Sequence, residues 1–217
     1  MSPVAPLTSR LVSNMNMENL IANLTKRGFK VTSFETGNEA VSYLKDNIKD
    51  TTVGLGGSIT LKELGIFDIL QESNTVWWHG KGLQLKEYGG YTVMQNAMTT
   101  DIYITSANAI SEQGQIINID GRGNRVASTL YGHKKVYFVV GKNKIAPTFE
   151  AAMWRARNIA APKNAQRLNM NTPCAVKGDK CYDCSSPDRI CRGFVTLEMP
   201  PMDMEVEVVL INEELGF

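Results

Sequence analysis

Histidine is scarce in this chain of 217 residues, which has only His79 and His133, and neither has a partner identifiable from the sequence. Imidazole chemistry therefore has little to work with. Cysteine is absent everywhere except one short window near the C-terminal end. No apolar stretch approaches the ~20 residues that a membrane span requires. No excess of one charge exists either: the formal net charge is +1, so nothing marks the whole molecule as a binder of nucleic acid or of membrane surfaces. The opening Met1-Ser-Pro-Val-Ala-Pro6 lacks a basic region followed by an apolar run, so a signal peptide is not expected and a cytoplasmic location is. Repeats and low-complexity tracts are missing. What remains is an ordinary globular composition, 43% hydrophobic and 21% charged, long enough for one domain over 1–217 with a substantial core.

The hydrophobic pattern alternates between two periods. Leu11, Met15, Leu20, Ile21 and Leu24 recur at helical spacing until Gly28 stops them, and Phe29 to Phe34 then reads as a strand. Asn38 is the expected cap of a helix carrying Val41, Leu44 and Ile48. Further strands are expected at Val53–Leu55, Thr75–Trp78, Asp101–Ser106, Ile116–Ile119, Val136–Val140 and Val206–Ile211. Helices are expected at 61–64, 66–70 and 93–98, and from the Thr148 cap to Ala160 with Phe149, Ala152, Met153 and Ala156 inward. Strands interleaved with helices predict an α/β fold with a mainly parallel sheet flanked by helices, and ligands at the carboxyl ends of its strands.

Two polar stretches fall at such ends. In Val53-Gly-Leu-Gly-Gly-Ser-Ile-Thr60 a short strand runs into glycines and then into two hydroxyls that open a helix. Glycine permits positive φ and close approach of a ligand, and free N–H groups at a helix start attract anions. Gly56, Gly57, Ser58 and Thr60 are therefore candidate ligands of a small carboxylate or phosphate, against the plainer reading of a capped strand–helix turn. The second stretch, residues 105–125, gathers Ser106, Asn108, Asn118, Asn124 and Arg125, a set suited to recognising hydroxyls and negative charge. A glycine-rich hairpin satisfying its own backbone is the alternative. Lys142 and Lys144 follow the 136–140 strand and can add charge to the same rim. His79 follows two tryptophans beside a possible pocket, whereas His133 is expected at the surface.

Cys174, Cys181, Cys184 and Cys191 form a C-x6-C-x2-C-x6-C run within residues 171–195. The x2 pair can chelate one metal, and the six-residue spacers, containing Gly178 and Pro187, can fold the outer two back onto it. Four thiolates suit an iron–sulfur cluster or tetrahedral zinc, and reduced or disulfide-forming cysteines remain a third possibility. A saturated four-thiolate site has no open position, so its role would be electron transfer or structure.

Val53-Gly-Leu-Gly-Gly-Ser-Ile-Thr-Leu-Lys-Glu-Leu-Gly65, Thr105-Ser-Ala-Asn-Ala-Ile110, Asn118-Ile-Asp-Gly-Arg-Gly-Asn-Arg-Val126, Val140-Gly-Lys-Asn-Lys-Ile145 and the final Glu214-Leu-Gly-Phe217 resemble the LUD domain, the lactate utilisation family. The cysteine segment is similar to one found in a subset of small members. The resemblance implies a fold like those of ribose-5-phosphate isomerase, glucosamine-6-phosphate deaminase and the CoA transferases, in which a strand–Gly–Ser/Thr–helix turn grips an anion. It also implies a place in the oxidation of L-lactate, a 2-hydroxy acid, to pyruvate. There an iron–sulfur cluster of the 4Fe-4S type, or alternatively zinc, would sit on the four cysteines, with redox partner subunits beyond it. The sugar-phosphate isomerases carry an acidic residue where this chain has Asn108. Glu112 and Asp120 are then the carboxylates left for proton work, as candidate catalytic residues. Two other functions are compatible with the same features. One is an isomerase, hydrolase or transferase of a phosphorylated sugar or CoA ester with a structural zinc. The other is a non-catalytic ligand-sensing or assembly subunit.

Overall fold

A computed structural model of the chain describes residues 17–217. The expected positions Leu11 and Met15 lie outside the described residues. The first helix, α1 (Met17–Lys26), buries Leu20 and Leu24 and ends at Gly28, whose φ of 88° needs glycine. After β1 (Lys30–Phe34) comes α2 (Gly37–Asn47), and its cap is Thr36 rather than Asn38. Thr36 Oγ1 accepts from the Glu39 N–H, and the Glu39 carboxylate accepts from the Thr36 N–H, a reciprocal capping box. Next come β2 (Thr52–Leu55), the short helices α3 (Ile59–Glu63) and α4 (Ile66–Leu70), and β3 (Thr75–Trp77). The helix expected over 93–98 is the second half of α5 (Leu83–Ala97), which is kinked at Gly89, where φ is 76°.

The middle of the chain contains β4 (Ile102–Thr105), β5 (Ala109–Ser111), β6 (Ile116–Asp120), α6 (Asn124–Ser128) and β7 (Lys135–Gly141). A 3-10 turn, Lys142–Lys144, leads into β8 (Ile145–Ala146). Thr148 caps α7 (Phe149–Arg155) as expected, with its Oγ1 accepting from the Ala151 N–H. The rod then passes through a π turn at Ala156–Ala160 into α8 (Ala161–Arg167). The cysteine window contains a short helix, α9 (Pro173–Lys177), and ends at β9 (Gly193–Leu197), followed by β10 (Glu205–Ile211).

Six strands form one all-parallel sheet in the order β1-β10-β7-β4-β2-β3. Burial on both faces explains why its central strands read as unbroken apolar runs. In β7, Val136, Phe138 and Val140 enter the core under one face, while Tyr137 and Val139 enter the core under the other. β10 repeats this with Val206, Val208 and Leu210 against Val209 and Ile211. Removing a ring such as that of the fully buried Phe138 would cost about 3–5 kcal/mol. Four short strands make a second sheet in the order β8-β5-β6-β9, with β6 antiparallel to both of its neighbours. Ala109, Ile117 and Ile119 of that sheet pack on Ala152, Ala156 and Ala161, whose small side chains let the helical rod lie close.

One charged group interrupts the apolar face of β10. Glu207 is fully buried and takes hydrogen bonds from Thr32 Oγ1 at 2.8 Å and Tyr43 OH at 2.7 Å. Lys135 and Lys30 pair with it at 2.7 and 3.1 Å. The buried charge is thus compensated from β1, α2 and β7 together. Among the described residues no helix is long and apolar enough to cross a membrane.

Candidate functional site

The carboxyl ends of β2, β4 and β7 open on one cavity of about 370 Å³. β2 delivers Gly57 and Ser58, β4 delivers Ser106 and Asn108, and the turn after β7 delivers Lys144. The second sheet adds Asp120 at the end of β6, and α6 adds Asn124 and Arg125. The two polar stretches therefore share one site. Gly56, Thr60, Asn118 and Glu112 do not line this cavity, and each has a different task.

Gly56 extends the sheet, its N–H donating to the Ile104 carbonyl at 2.9 Å. Neither Gly56 nor Gly57 has positive φ. Glycine is needed at 56 for space, since a Cβ there would lie 2.8 Å from Thr105 Oγ1 and 3.0 Å from the Tyr103 hydroxyl. Ser58 caps α3 by accepting from the Leu61 N–H at 3.4 Å, and α3 has only five residues, so its dipole is small. Thr60 is fully buried and accepts from Lys144 Nζ at 2.6 Å while donating to the Leu215 carbonyl at 3.2 Å. Glu112 lies at the turn after β5, where its carbonyl accepts from Asn23. Its expected catalytic role has no support from this position.

Arg125 organises the floor. Its guanidinium donates to Asn118 Oδ1 at 2.6 Å, the Ile119 carbonyl at 2.7 Å, Asn108 Oδ1 at 3.1 Å and the Ser106 carbonyl at 3.2 Å. Asp120 pairs with its Nε at 3.5 Å. With its donors taken, Arg125 contributes a positive field and fixed geometry. Asp120 is itself engaged, accepting from the N–H groups of Arg122 and Gly123 at 3.0 and 2.9 Å. Asn118, with its Oδ1 on Arg125 and on the Asn108 N–H, is a brace. Asn108 Oδ1 accepts from Arg125 and from the Ile119 N–H, and its Nδ2 has no partner among the described residues.

Lys144 Nζ donates to Thr60 Oγ1 and, at 2.8 Å, to Ser106 Oγ. Burial, with the nearby charges of Arg155 and Arg125, lowers its pKa to about 7. Arg155 ties this corner together by donating to the carbonyls of Asn143, Asn108 and Phe217, and burial lowers its pKa to about 10.

Arg122, Asn164, Arg167 and Phe217 also line the cavity and were not among the candidates expected from the sequence. Arg122 sits in the Asp120–Arg125 stretch, which was the one available signal. The α8 pair Asn164 and Arg167 had none, because no sequence pattern says which helix crosses the mouth. His79 also lines the cavity, and burial followed by the charges of Arg122 and Arg167 lowers its pKa. His133, expected at the surface, is buried. Its ring stacks on Tyr103 with centroids 5.0 Å apart, and its Nδ1 lies 2.6 Å from the Thr100 carbonyl.

Cys174, Cys181, Cys184 and Cys191 all border one small second cavity and form no disulfide. Among the described residues no three His, Cys, Asp or Glu side chains are grouped as ligands of one ion. Polar groups lie on three of the sulfurs, each at 3.3 Å: the Thr172 hydroxyl on Cys174, the Asp183 N–H on Cys181 and Arg189 Nη2 on Cys191. Asn158 Oδ1 accepts from the Cys181 N–H at 3.2 Å. Ala161 and Ile190 line both cavities, so the cysteine segment walls the larger one.

No curated protein matches the chain. Among solved structures it is similar to a DUF162 family protein from Deinococcus radiodurans, at 11% sequence identity and a TM-score of 0.49, over 95% of this chain and 99% of that one. The model of the LUD domain matches residues 17–211, almost the whole of the described structure, and the chain belongs to the LUD domain family.

Proposed function

We propose that the chain is an oxidoreductase component of 2-hydroxy-acid metabolism that binds a small carboxylate of the L-lactate type in the cavity above β2, β4 and β7. The observation that carries this reading is the charge balance of the walls. Among the described side chains that line the cavity, the guanidiniums of Arg122, Arg125 and Arg167 face one carboxylate, Asp120, which is already engaged. An anionic ligand supplies the missing charge, and the cavity volume suits a small metabolite. Ser106 Oγ, Asn108 Nδ2 and Lys144 Nζ form the polar floor for the carboxylate and the 2-hydroxyl. Arg125 acts through its field and by fixing Asn108.

The residues around the second cavity have the donor chemistry of a thiophilic-metal site, although no three of them are drawn together as ligands of one ion among the described residues. They offer four unpaired thiols, with polar groups on three of the sulfurs as metal-bound thiolates favour. We assign Cys174, Cys181, Cys184 and Cys191 as the ligands of a 4Fe-4S cluster, with zinc as the alternative. A cluster held by these cysteines would supply one-electron transfer toward a redox partner subunit, whereas zinc would supply rigidity alone. Ile190 and Ala161 line both cavities and would stand between such a centre and a carboxylate in the larger one. An isomerase reading loses the two carboxylates expected as its base, since Glu112 is outside the cavity and Asp120 is engaged by Arg125 and by the Arg122 and Gly123 N–H groups.

Anaerobic purification with iron, acid-labile sulfide and zinc analysis tests the metal assignment. Iron and sulfide are expected, and a colourless protein with stoichiometric zinc removes electron transfer. A thermal-shift panel of 2-hydroxy acids, sugar phosphates and CoA esters tests the ligand. Stabilisation by lactate-type acids is expected, and stabilisation by phosphates or CoA esters alone overturns the carboxylate assignment.

A further inference from the structure

Lys144 has an environment that anion binding alone does not require. Its residue is 3% exposed, and its two hydrogen-bond partners, Thr60 and Ser106, are uncharged hydroxyls. Two guanidiniums, those of Arg155 and Arg125, act on it with like charge and outweigh the Glu63 carboxylate, the weaker opposing charge. A buried ammonium held by neutral groups beside other cations is costly, and loss of its proton removes that cost. Neutral, the amine carries a lone pair. Thr60 has its own proton directed at the Leu215 carbonyl, so it acts only as an acceptor for Nζ. Ser106, which also lines the cavity, is then the hydroxyl free to exchange a proton with Nζ or with a ligand. The position of Nζ is fixed from several sides, since Lys144 ends a 3-10 turn directly after β7 and Gly216 packs against the amine. A desolvated lysine amine beside other cations is the arrangement that makes lysine a nucleophile toward carbonyl carbon.

We propose that the cavity takes a 2-oxo acid and holds it as an imine on Lys144 Nζ, with Ser106 passing the proton. This rests on the reading of the cavity as a small-carboxylate site and names the carbonyl form as its covalent ligand. The Nζ lone pair attacks the ketone carbon, a C–N bond forms, and the carbonyl electron pair moves to oxygen, which is protonated through Ser106 Oγ. Nitrogen gives up its protons as the hydroxyl departs, so the net change is amine plus ketone to imine plus water. No oxidant or reductant is consumed. The carboxylate beside the ketone is what selects a 2-oxo acid over other carbonyl compounds, since Asn108 Nδ2 and the field of Arg125 receive it.

Reductive trapping tests the proposal on the full chain. The protein is incubated with pyruvate and cyanoborohydride, digested, and mapped by mass spectrometry. The expected result is a gain of pyruvic acid minus one oxygen atom confined to Lys144, sparing the exposed Lys45, Lys81 and Lys134. Trapping should accelerate as pH rises through about 7, where the amine loses its proton, and K144R should not be labelled at that position. Calorimetry with pyruvate and with L-lactate, without reductant, runs alongside on the wild-type protein. Binding with no adduct on Lys144, or label spread evenly over exposed lysines, overturns the imine and leaves the carboxylate site standing. Neither binding nor adduct overturns both.

Discussion

Gly121 and Ile190 touch backbone to backbone: a Cβ on Gly121 would lie 3.0 Å from the Ile190 carbonyl oxygen and 3.2 Å from its Cα. The Arg192 N–H continues the contact by donating to the Asp120 carbonyl at 3.0 Å. This seam fixes the cysteine segment against the wall of the larger cavity. Gly121→Val should push the two apart at a cost of ~1–3 kcal/mol, and should weaken both metal retention and carboxylate binding. Metal-to-protein ratios and calorimetry read the two losses. Loss of only one of them would mean that the sites are independent.

Arg125→Met should cost ~3–5 kcal/mol. It removes four hydrogen bonds and leaves the largely buried Asp120 side chain without its ion pair. Urea unfolding followed by tryptophan fluorescence measures this. A loss under about 1 kcal/mol would show that water takes over the role of the guanidinium.

Lys144 should shape the alkaline side of the stability curve. Its pKa is about 7 when folded, against ~10.4 for an unperturbed lysine, so between those values the unfolded chain binds more protons. The penalty for burying it is therefore relieved as pH rises, and stability from this group increases by up to ~1.4 kcal/mol per pH unit across that window. Lys144→Met should flatten the slope. L-Lactate, an anion with no ketone to form the imine, should raise the lysine pKa again, so its binding at pH 8 should take up a proton. Calorimetry in buffers of different ionisation enthalpy detects that uptake.

Glu207 should set the acid limb. Burial alone would raise its pKa, but hydrogen bonds from Lys135, Tyr43, Thr32 and Lys30 outweigh burial and hold the carboxyl below its usual range. A depressed carboxylate gives stability that is present at neutral pH and lost as pH falls through its folded pKa. Glu207→Gln should lower stability at neutral pH and make the acid transition shallower in circular-dichroism titrations.

Cys181→Ser should lower the melting temperature of protein isolated with its metal and leave the melting temperature after exhaustive chelation nearly unchanged. Bound metal contributes folding free energy only when its ligands are intact. Equal melting of mutant and wild type before chelation would remove Cys181 from the ligand set.

Periodicity made the α/β alternation and the parallel sheet legible, because β7 and β10 are apolar on both faces. β5, β8 and β9 were not, since three residues, two residues and a strand beside a cysteine loop offer no alternation long enough to read. Asn38 looked like a cap, but the geometry selects Thr36, whose partner Glu39 completes the box. Ser58, Ser106, Asn108 and Lys144, expected from their place after strands, line the larger cavity. Thr60, Asn118 and Gly56 lie next to it and turn inward to hold Lys144, Arg125 and the sheet. Composition identifies polar residues near a strand end and cannot say which way each one points.

The π turn at Ala156–Ala160 has a consequence for how the chain tolerates insertions and deletions. Its Ala161 N–H reaches back to the Ala156 carbonyl, one residue further than an α-helix allows. An extra residue is thus absorbed within a single turn, and α7 keeps its face on the second sheet while α8 keeps Ala161 and Asn164 on the larger cavity. Removing one residue inside this turn would restore a regular helix with both flanks in phase, whereas removing one anywhere else in the rod would swing the following side chains by about 100°. The surplus residue also falls where Arg157 and Asn158 reach the cysteine segment, through Asp183 and the Cys181 N–H. A one-residue deletion in this turn would therefore cost the thiol loop these two contacts, leaving it held by the Gly121–Ile190 seam and the rest of the molecule in register.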